Sequence, residues 1–127
     1  PGRVSTEVDA KVSFSVEESL SRAYQILDIY KKLGVDTKRV MIKLASTWEG
    51  IVAAKHLEKE GIHVNMTLMF SLPQAIGAAN SNATIISPFV GRILDWYKAN
   101  ENFNGPSSQD PGVLSVTQIY NYYKERG

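Results

Sequence analysis

Lys43 interrupts an otherwise apolar run, Val40-Met41-Ile42-Lys43-Leu44. A charged side chain there is costly unless it serves chemistry or reaches solvent. Pointed into a poorly hydrated interior, its amine is favoured in the neutral form. A neutral amine attacks a carbonyl and forms an imine, whose cationic nitrogen takes up the electrons of a breaking C–C bond. Imine formation and breakdown both move protons, so a carboxylate, or a water held by one, is needed nearby. Glu7 is available for that role and Thr67 for holding the water. Asn65 and Ser87 offer an amide and a hydroxyl to substrate hydroxyls. Arg92, in the first turn after Ser87-Pro88, offers a guanidinium to a phosphate. Plainer roles stand beside each: a strand-end lysine reaching water, a Glu7–Lys43 structural ion pair, packing or capping for Asn65 and Ser87, and a solvated Arg92.

The elements that carry these residues are four strand candidates, Val4–Val8, Val40–Leu44, Val64–Phe70 and Ala83–Ser87. Helical patterns separate them. Ser15 with Glu18, Ser46 with Glu49, and Ser71 with Gln74 each have capping-box spacing before an apolar repeat. A fourth helix is predicted after Pro88. Asn102 to Gly112 is a loop rich in Gly, Pro, Ser and Asp, and Ser115 with Gln118 opens a last helix. Strands alternating with helices imply right-handed parallel crossovers, which fit a doubly wound sheet or a closed barrel.

Side-chain alternation separates the two. One set of faces carries Val4, Thr6, Val8, Val40, Ile42, Leu44, Val64, Met66, Leu68, Thr84 and Ile86. The other collects Ser5, Glu7, Met41, Lys43, Asn65, Thr67, Met69, Ile85 and Ser87. A doubly wound sheet needs apolar residues on both faces, because helices cover both. A barrel has helices outside only, and its inner face turns polar toward the C-terminal strand ends. The pattern predicts an α/β fold, a partial (β/α)8 TIM barrel of four parallel strands with outer helices.

Composition agrees with a globular chain: 127 residues, 43% hydrophobic and 21% charged, read as a single partial domain over residues 1–127. Fourteen Lys and Arg against thirteen Asp and Glu leave a net charge of +1, which gives no footprint for nucleic acid. No cysteine is present, so disulfides, thiolate nucleophiles and cysteine metal sites are excluded. His56 and His63 alone do not make a zinc centre. No apolar run reaches the ~18 residues of a membrane span, and no secretory leader is visible, so a cytoplasmic location without membrane association is expected. A closed barrel needs eight strands and typically ~250 residues. The sequence is therefore expected to be a piece of a longer protein, with the remaining strands supplied by the parent chain or by self-association of two copies.

Longer stretches carry a family resemblance. Ile42-Lys43-Leu44-Ala45-Ser46-Thr47-Trp48-Glu49-Gly50-Ile51 resembles the Schiff-base segment of transaldolase. Asn65-Met66-Thr67-Leu68-Met69-Phe70-Ser71 and Ile86-Ser87-Pro88-Phe89-Val90-Gly91-Arg92-Ile93-Leu94-Asp95-Trp96-Tyr97 resemble its next two strand motifs, and Val4-Ser5-Thr6-Glu7-Val8-Asp9 the preceding one. The resemblance covers nearly the whole chain, in order, and implies the third to sixth strands of a class I aldolase-type barrel. It implies transfer of a dihydroxyacetone unit between sugar phosphates, from fructose 6-phosphate or sedoheptulose 7-phosphate to an aldose phosphate, in the non-oxidative pentose phosphate pathway. By motif, Lys43 forms the imine, Glu7 and Thr67 position the water, Asn65 and Ser87 bind the donor, Arg92 binds phosphate, and Phe89 lines the pocket. No metal or organic cofactor is implied, and the expected partners are sugar-phosphate substrates and, for the parent, a second copy in a homodimer. The family's early strands supply an aspartate and a later strand a second arginine; neither motif is in this sequence. A related Schiff-base aldolase that cleaves without transfer, or a catalytically inactive half-barrel that self-associates, are the competing expectations. Trp48, Trp96 and the surrounding helices favour transaldolase.

Overall fold

Period-two and period-3.6 stretches alternate along the chain, and each becomes an element. A computed structural model describes residues 2–126. The strands are β1 (Val4–Glu7), β2 (Val40–Ala45), β3 (Val64–Met69) and β4 (Ile85–Pro88). The helices are α1 (Val16–Lys32), α2 (Trp48–Lys59), α3 (Leu72–Asn80), α4 (Val90–Asn100) and α5 (Pro111–Arg126). Ser15 caps α1 by accepting the Glu18 N–H, and Glu17 and Glu18 lie in the first turn where the helix dipole favours them. Gly34 and Gly61, both at positive φ, turn the chain after α1 and α2.

The four strands are parallel and lie in sequence order, β1-β2-β3-β4. Val40 is buried, and Ile42, Leu44, Val64 and Met66 are buried and pack with Ala23, Ala53, Ala54, Leu57, Ala75, Ala78 and Ile119 of the helices. Alanines at the sheet-facing helix positions let the helices sit close to the strands. Each large aliphatic side chain so covered contributes roughly 1.5–3 kcal/mol. The opposite face carries Ser5, Glu7, Lys43, Asn65 and Ser87. Strands in unbroken order with the apolar core on one face only form an arc of a (β/α) barrel, as the alternation predicts. Among the described residues, no helix is long and apolar enough to cross a membrane.

The last residues of β3 depart from strict alternation. Leu68 adopts a positive φ of 55°, and the β3–β4 register shifts between Met66 and Met69. The extra residue reverses the side-chain phase. Met69, expected inside the arc, is fully buried in the helix-side core, and Leu68, expected in that core, is 43% exposed.

Three helix starts also differ from expectation. Thr47, not Ser46, caps α2: its Oγ1 accepts the Gly50 N–H and donates to the Ser13 carbonyl. Ser46 is instead buried and bonded to β3. Ser71 occupies the N-cap of α3 without accepting a helix N–H; its hydroxyl donates to Gln74 Oε1. Helix α5 begins at Pro111, four residues before Ser115, because Asp110 Oδ1 accepts from the Gly112 and Val113 N–H groups.

Candidate active site

Register places the chemistry. Glu7 pairs with Lys43 and Lys43 with Asn65, so three polar side chains line up across β1, β2 and β3 on the uncovered face. Lys43 Nζ lies 3.4 Å from Glu7 Oε2. The Lys43 side chain is 28% exposed and that of Glu7 53%, so the amine in this arc is in reach of water. The sequence expectation of a desolvated amine is therefore not met by these four strands. Facing solvent, the pair contributes little to stability.

Asn65 is the hub of the face. It is 8% exposed, and its Nδ2 donates to Ser5 Oγ at 3.1 Å while its Oδ1 accepts from Ser87 Oγ at 2.8 Å. Ser5 and Asn65 stand on strands two places apart, whose backbones are separated by roughly 9–10 Å in a sheet. Direct contact between them requires the uncovered face to be concave. Side chains of alternate strands meeting in one layer is how barrel interiors fill.

Thr67 follows one step closer to the C-terminal strand ends, in register with Ala45. It is 1% exposed, and its Oγ1 has no hydrogen-bond partner among the described residues. Its carbonyl, in contrast, receives both the N–H and the hydroxyl of Ser46, at 2.8 and 2.7 Å. Gly50 lets α2 begin this close to the end of β2, because a Cβ there would collide with the Ala45 carbonyl oxygen.

The other two sequence candidates stand apart from the Lys43 row. Phe89 directly precedes α4; its N–H donates to the Met69 carbonyl at 2.9 Å, and its ring meets Phe70 edge-on at 5.5 Å. Arg92 is exposed in the first turn of α4 and lines a cleft of about 330 Å³ with Phe70, Ile93, Trp96 and Tyr97. The described contacts thus gather Glu7, Lys43, Asn65 and Ser87 together, and set Phe89 and Arg92 beside Phe70.

Ser5 and Gln74 carry contacts that the sequence reading did not single out for the site. For Ser5 the signal was present, since it shares alternation phase with Glu7. Gln74 has only capping-box spacing in the sequence; its bond to the Ser46 carbonyl, just past the end of β2, is a tertiary feature.

Fold and face together define a segment of a parallel (β/α) barrel that holds a lysine–carboxylate pair on its concave side. The family model for transaldolase/fructose-6-phosphate aldolase matches residues 1–127. A transaldolase of Protochlamydia amoebophila (strain UWE25) is 61% identical over 126 residues, covering 98% of this chain and 39% of the relative. One from Shewanella baltica (strain OS185) is 59% identical over 127 residues, covering all of this chain and 40% of the relative. One from Vibrio cholerae serotype O1 (strain ATCC 39541 / Classical Ogawa 395 / O395) is 58% identical with the same coverage. The chain belongs to the transaldolase/fructose-6-phosphate aldolase family. It spans about 40% of the length of these curated relatives.

Proposed function

We propose that this chain is the imine-forming segment of a transaldolase, a transferase that moves a dihydroxyacetone unit between sugar phosphates. Residues 1–127 then form one partial domain, half of a (β/α)8 barrel, and the remaining strands complete its mouth. The observation that carries the reading is the inward row Glu7–Lys43–Asn65, in register on adjacent strands within a family-matched chain.

In this reading the Lys43 amine attacks the ketose carbonyl, and loss of water leaves a protonated imine. A base on the strands that complete the barrel takes the C4 hydroxyl proton, the C3–C4 bond breaks with its electron pair passing to the imine as an enamine, and an aldose phosphate leaves; the same base returns the proton to the new hydroxyl when the acceptor is attacked. The enamine carbon attacks the carbonyl of the acceptor aldose, and water releases the new ketose from Lys43. Glu7 carries protons in the imine steps through a water that Thr67 orients. That Thr67 Oγ1 has no partner among the described residues supports that role, since a buried hydroxyl without a partner costs about 1–3 kcal/mol. Asn65 and Ser87 present their polar ends to donor hydroxyls. Arg92 binds the phosphate, and Phe89 forms an apolar wall. Completion of the barrel excludes water from Lys43 and so supplies the desolvation that the arc lacks.

The test is a transfer assay on a full-length chain carrying this segment. With fructose 6-phosphate and erythrose 4-phosphate, formation of sedoheptulose 7-phosphate is expected. Free dihydroxyacetone at the same rate with or without acceptor would replace transfer with simple aldol cleavage, the second activity in the family's name. The 127-residue chain alone is expected to be inactive as a monomer. Turnover coupled to a dimer in sedimentation would instead favour two copies closing one barrel.

A further inference from the structure

The reversal at Leu68 needs something to hold it. A leucine at φ 55° sits in a region that costs an L-residue about 1–2 kcal/mol. Gln74, in the first turn of α3, uses its whole amide group here. Its Oε1 accepts from the Phe70 N–H at 2.8 Å and from Ser71 Oγ at 3.2 Å. Its Nε2 donates to the Leu68 carbonyl at 3.2 Å and to the Ser46 carbonyl at 2.9 Å.

The bond to the Ser46 carbonyl runs from α3 to the turn that joins β2 to α2. The β2–β3 register ends at the Ala45–Thr67 pair. At that point Ser46 grips the Thr67 carbonyl with two bonds, and Gln74 holds the Ser46 carbonyl. Gln74 therefore closes a loop running Thr67, Ser46, Gln74, Leu68 and back to Thr67. The same bulge carries the Met69 carbonyl that receives the Phe89 N–H. Thr67 and Phe89 both take their positions from a turn that one amide side chain pins.

We propose that Gln74 is a positioning residue for the reaction, setting the Thr67 hydroxyl relative to Lys43 through Ser46 and the Leu68 bulge. The proposal rests on the imine-forming reading above. Gln74 touches no reacting atom. Its effect runs through Thr67, and that makes it separable from a contribution to stability alone.

The experiment is a double-mutant cycle in a full-length chain carrying this segment, with Gln74→Leu and Thr67→Val made singly and together. Gln74→Leu is expected to lower kcat about 100-fold, the scale of an ångström-sized misplacement of a reacting group. In the Thr67→Val background the same change is expected to move kcat less than about twofold, because the hydroxyl it positions is already gone. Ser81→Ala, which removes a buried hydroxyl bonded to the Ala78 carbonyl at the far end of α3, serves as the stability control. It is expected to lower Tm while leaving kcat unchanged. Equal losses of kcat from Gln74→Leu in both backgrounds, or a kcat within about twofold of the parent in the folded single variant, would overturn the proposal. If Gln74→Leu does not fold, Gln74→Glu, which keeps the acceptor oxygen and removes the amide donor to the Ser46 and Leu68 carbonyls, carries the same cycle with an expected loss of about tenfold in kcat, which the Thr67→Val background must abolish. Borohydride reduction with fructose 6-phosphate on the same preparations keeps the two claims apart. A Lys43 adduct in both parent and Gln74→Leu is expected. An adduct in the parent together with an unchanged kcat in the variant overturns Gln74 alone. No adduct in the parent removes the imine-forming reading and this proposal with it.

Discussion

Lys43 and Glu7 face each other across a parallel β1–β2 pair, in direct register, with Nζ 3.4 Å from Oε2. Residues paired in register share a face, so the contact follows from strand alignment rather than from loop geometry. The same alignment puts Asn65 on the other side of Lys43. The Lys43 amine is thus flanked by a carboxylate and an amide, all three on strands and none on a loop. Rigid elements of this sort hold reacting groups more precisely than loops do.

Glu7 can be separated into ion partner and proton carrier. In a full-length chain, Glu7→Gln keeps the size and removes the charge. The expected result is a kcat lower by about 100-fold or more, with KM changed less than about threefold, as for loss of a general acid–base group. A kcat equal to that of the unsubstituted enzyme would leave Glu7 as a structural partner of Lys43.

Asn65→Ala strips both bonds from the hub and leaves the Ser5 and Ser87 hydroxyls without their partner. Stability in urea is expected to fall by about 1–2 kcal/mol, and KM for the ketose donor to rise about tenfold. If the donor KM is unchanged in the folded variant, Asn65 organises the sheet and does not bind the donor.

Gly50→Ala brings a methyl group against the Ala45 carbonyl, which is backbone and cannot swing aside. A loss of roughly 1–3 kcal/mol is expected in chemical denaturation. Because the displaced segment joins β2 to α2, kcat is expected to drop as well. A loss below about 0.5 kcal/mol would mean that α2 does not start against Ala45.

Stability should fall at alkaline pH. Burial, and secondly the neighbouring Tyr122, raise the Tyr123 hydroxyl above the ordinary value of 10.0, while its proton is donated to the Ala75 carbonyl at 2.6 Å. With the folded value above the unfolded one, the unfolded chain binds fewer protons between the two. This contribution is then whole below pH 10 and is lost as pH rises through the folded-state value. Tyr24, raised by burial and by its bond to Glu60, adds a slope of the same sign. Melting curves from pH 8 to 11 are expected to show Tyr123→Phe less stable by about 1 kcal/mol at pH 8 and with a shallower alkaline decline. An identical decline in both proteins would contradict this assignment.

Much of this arrangement was legible in the residues. Period-two alternation in Val40–Leu44 and at Val64-Asn65-Met66 put Lys43 and Asn65 on the uncovered face, and the helix-punctuated order of strands gave the parallel arc. It failed where geometry depends on a distant partner. Leu68 and Met69 exchange sides because Gln74 pins a bulge that no local pattern encodes. Ser46 and Thr47 are adjacent hydroxyls that both suit a helix N-cap. Which one caps is decided by the bonds Ser46 makes to Thr67 and Thr47 makes to Ser13. Asp110 outcompeted Ser115 as the start of α5 because Pro111 and Gly112 lie in its first turn; a Cβ at Gly112 would collide with the Val90 carbonyl of α4. Glu58 is a further case. Its carboxylate receives the N–H groups of Val64 and Thr84 and ties the end of α2 to the starts of β3 and β4, a long-range cap without a sequence signature.

The proposed imine on Lys43 is open to direct measurement. A full-length chain carrying this segment is incubated with fructose 6-phosphate, reduced with borohydride, digested and mapped by mass spectrometry. The prediction is a single reduced adduct on Lys43, absent from Lys43→Met. An adduct on another lysine, such as the exposed Lys55 of α2, or one that survives in Lys43→Met, would contradict it.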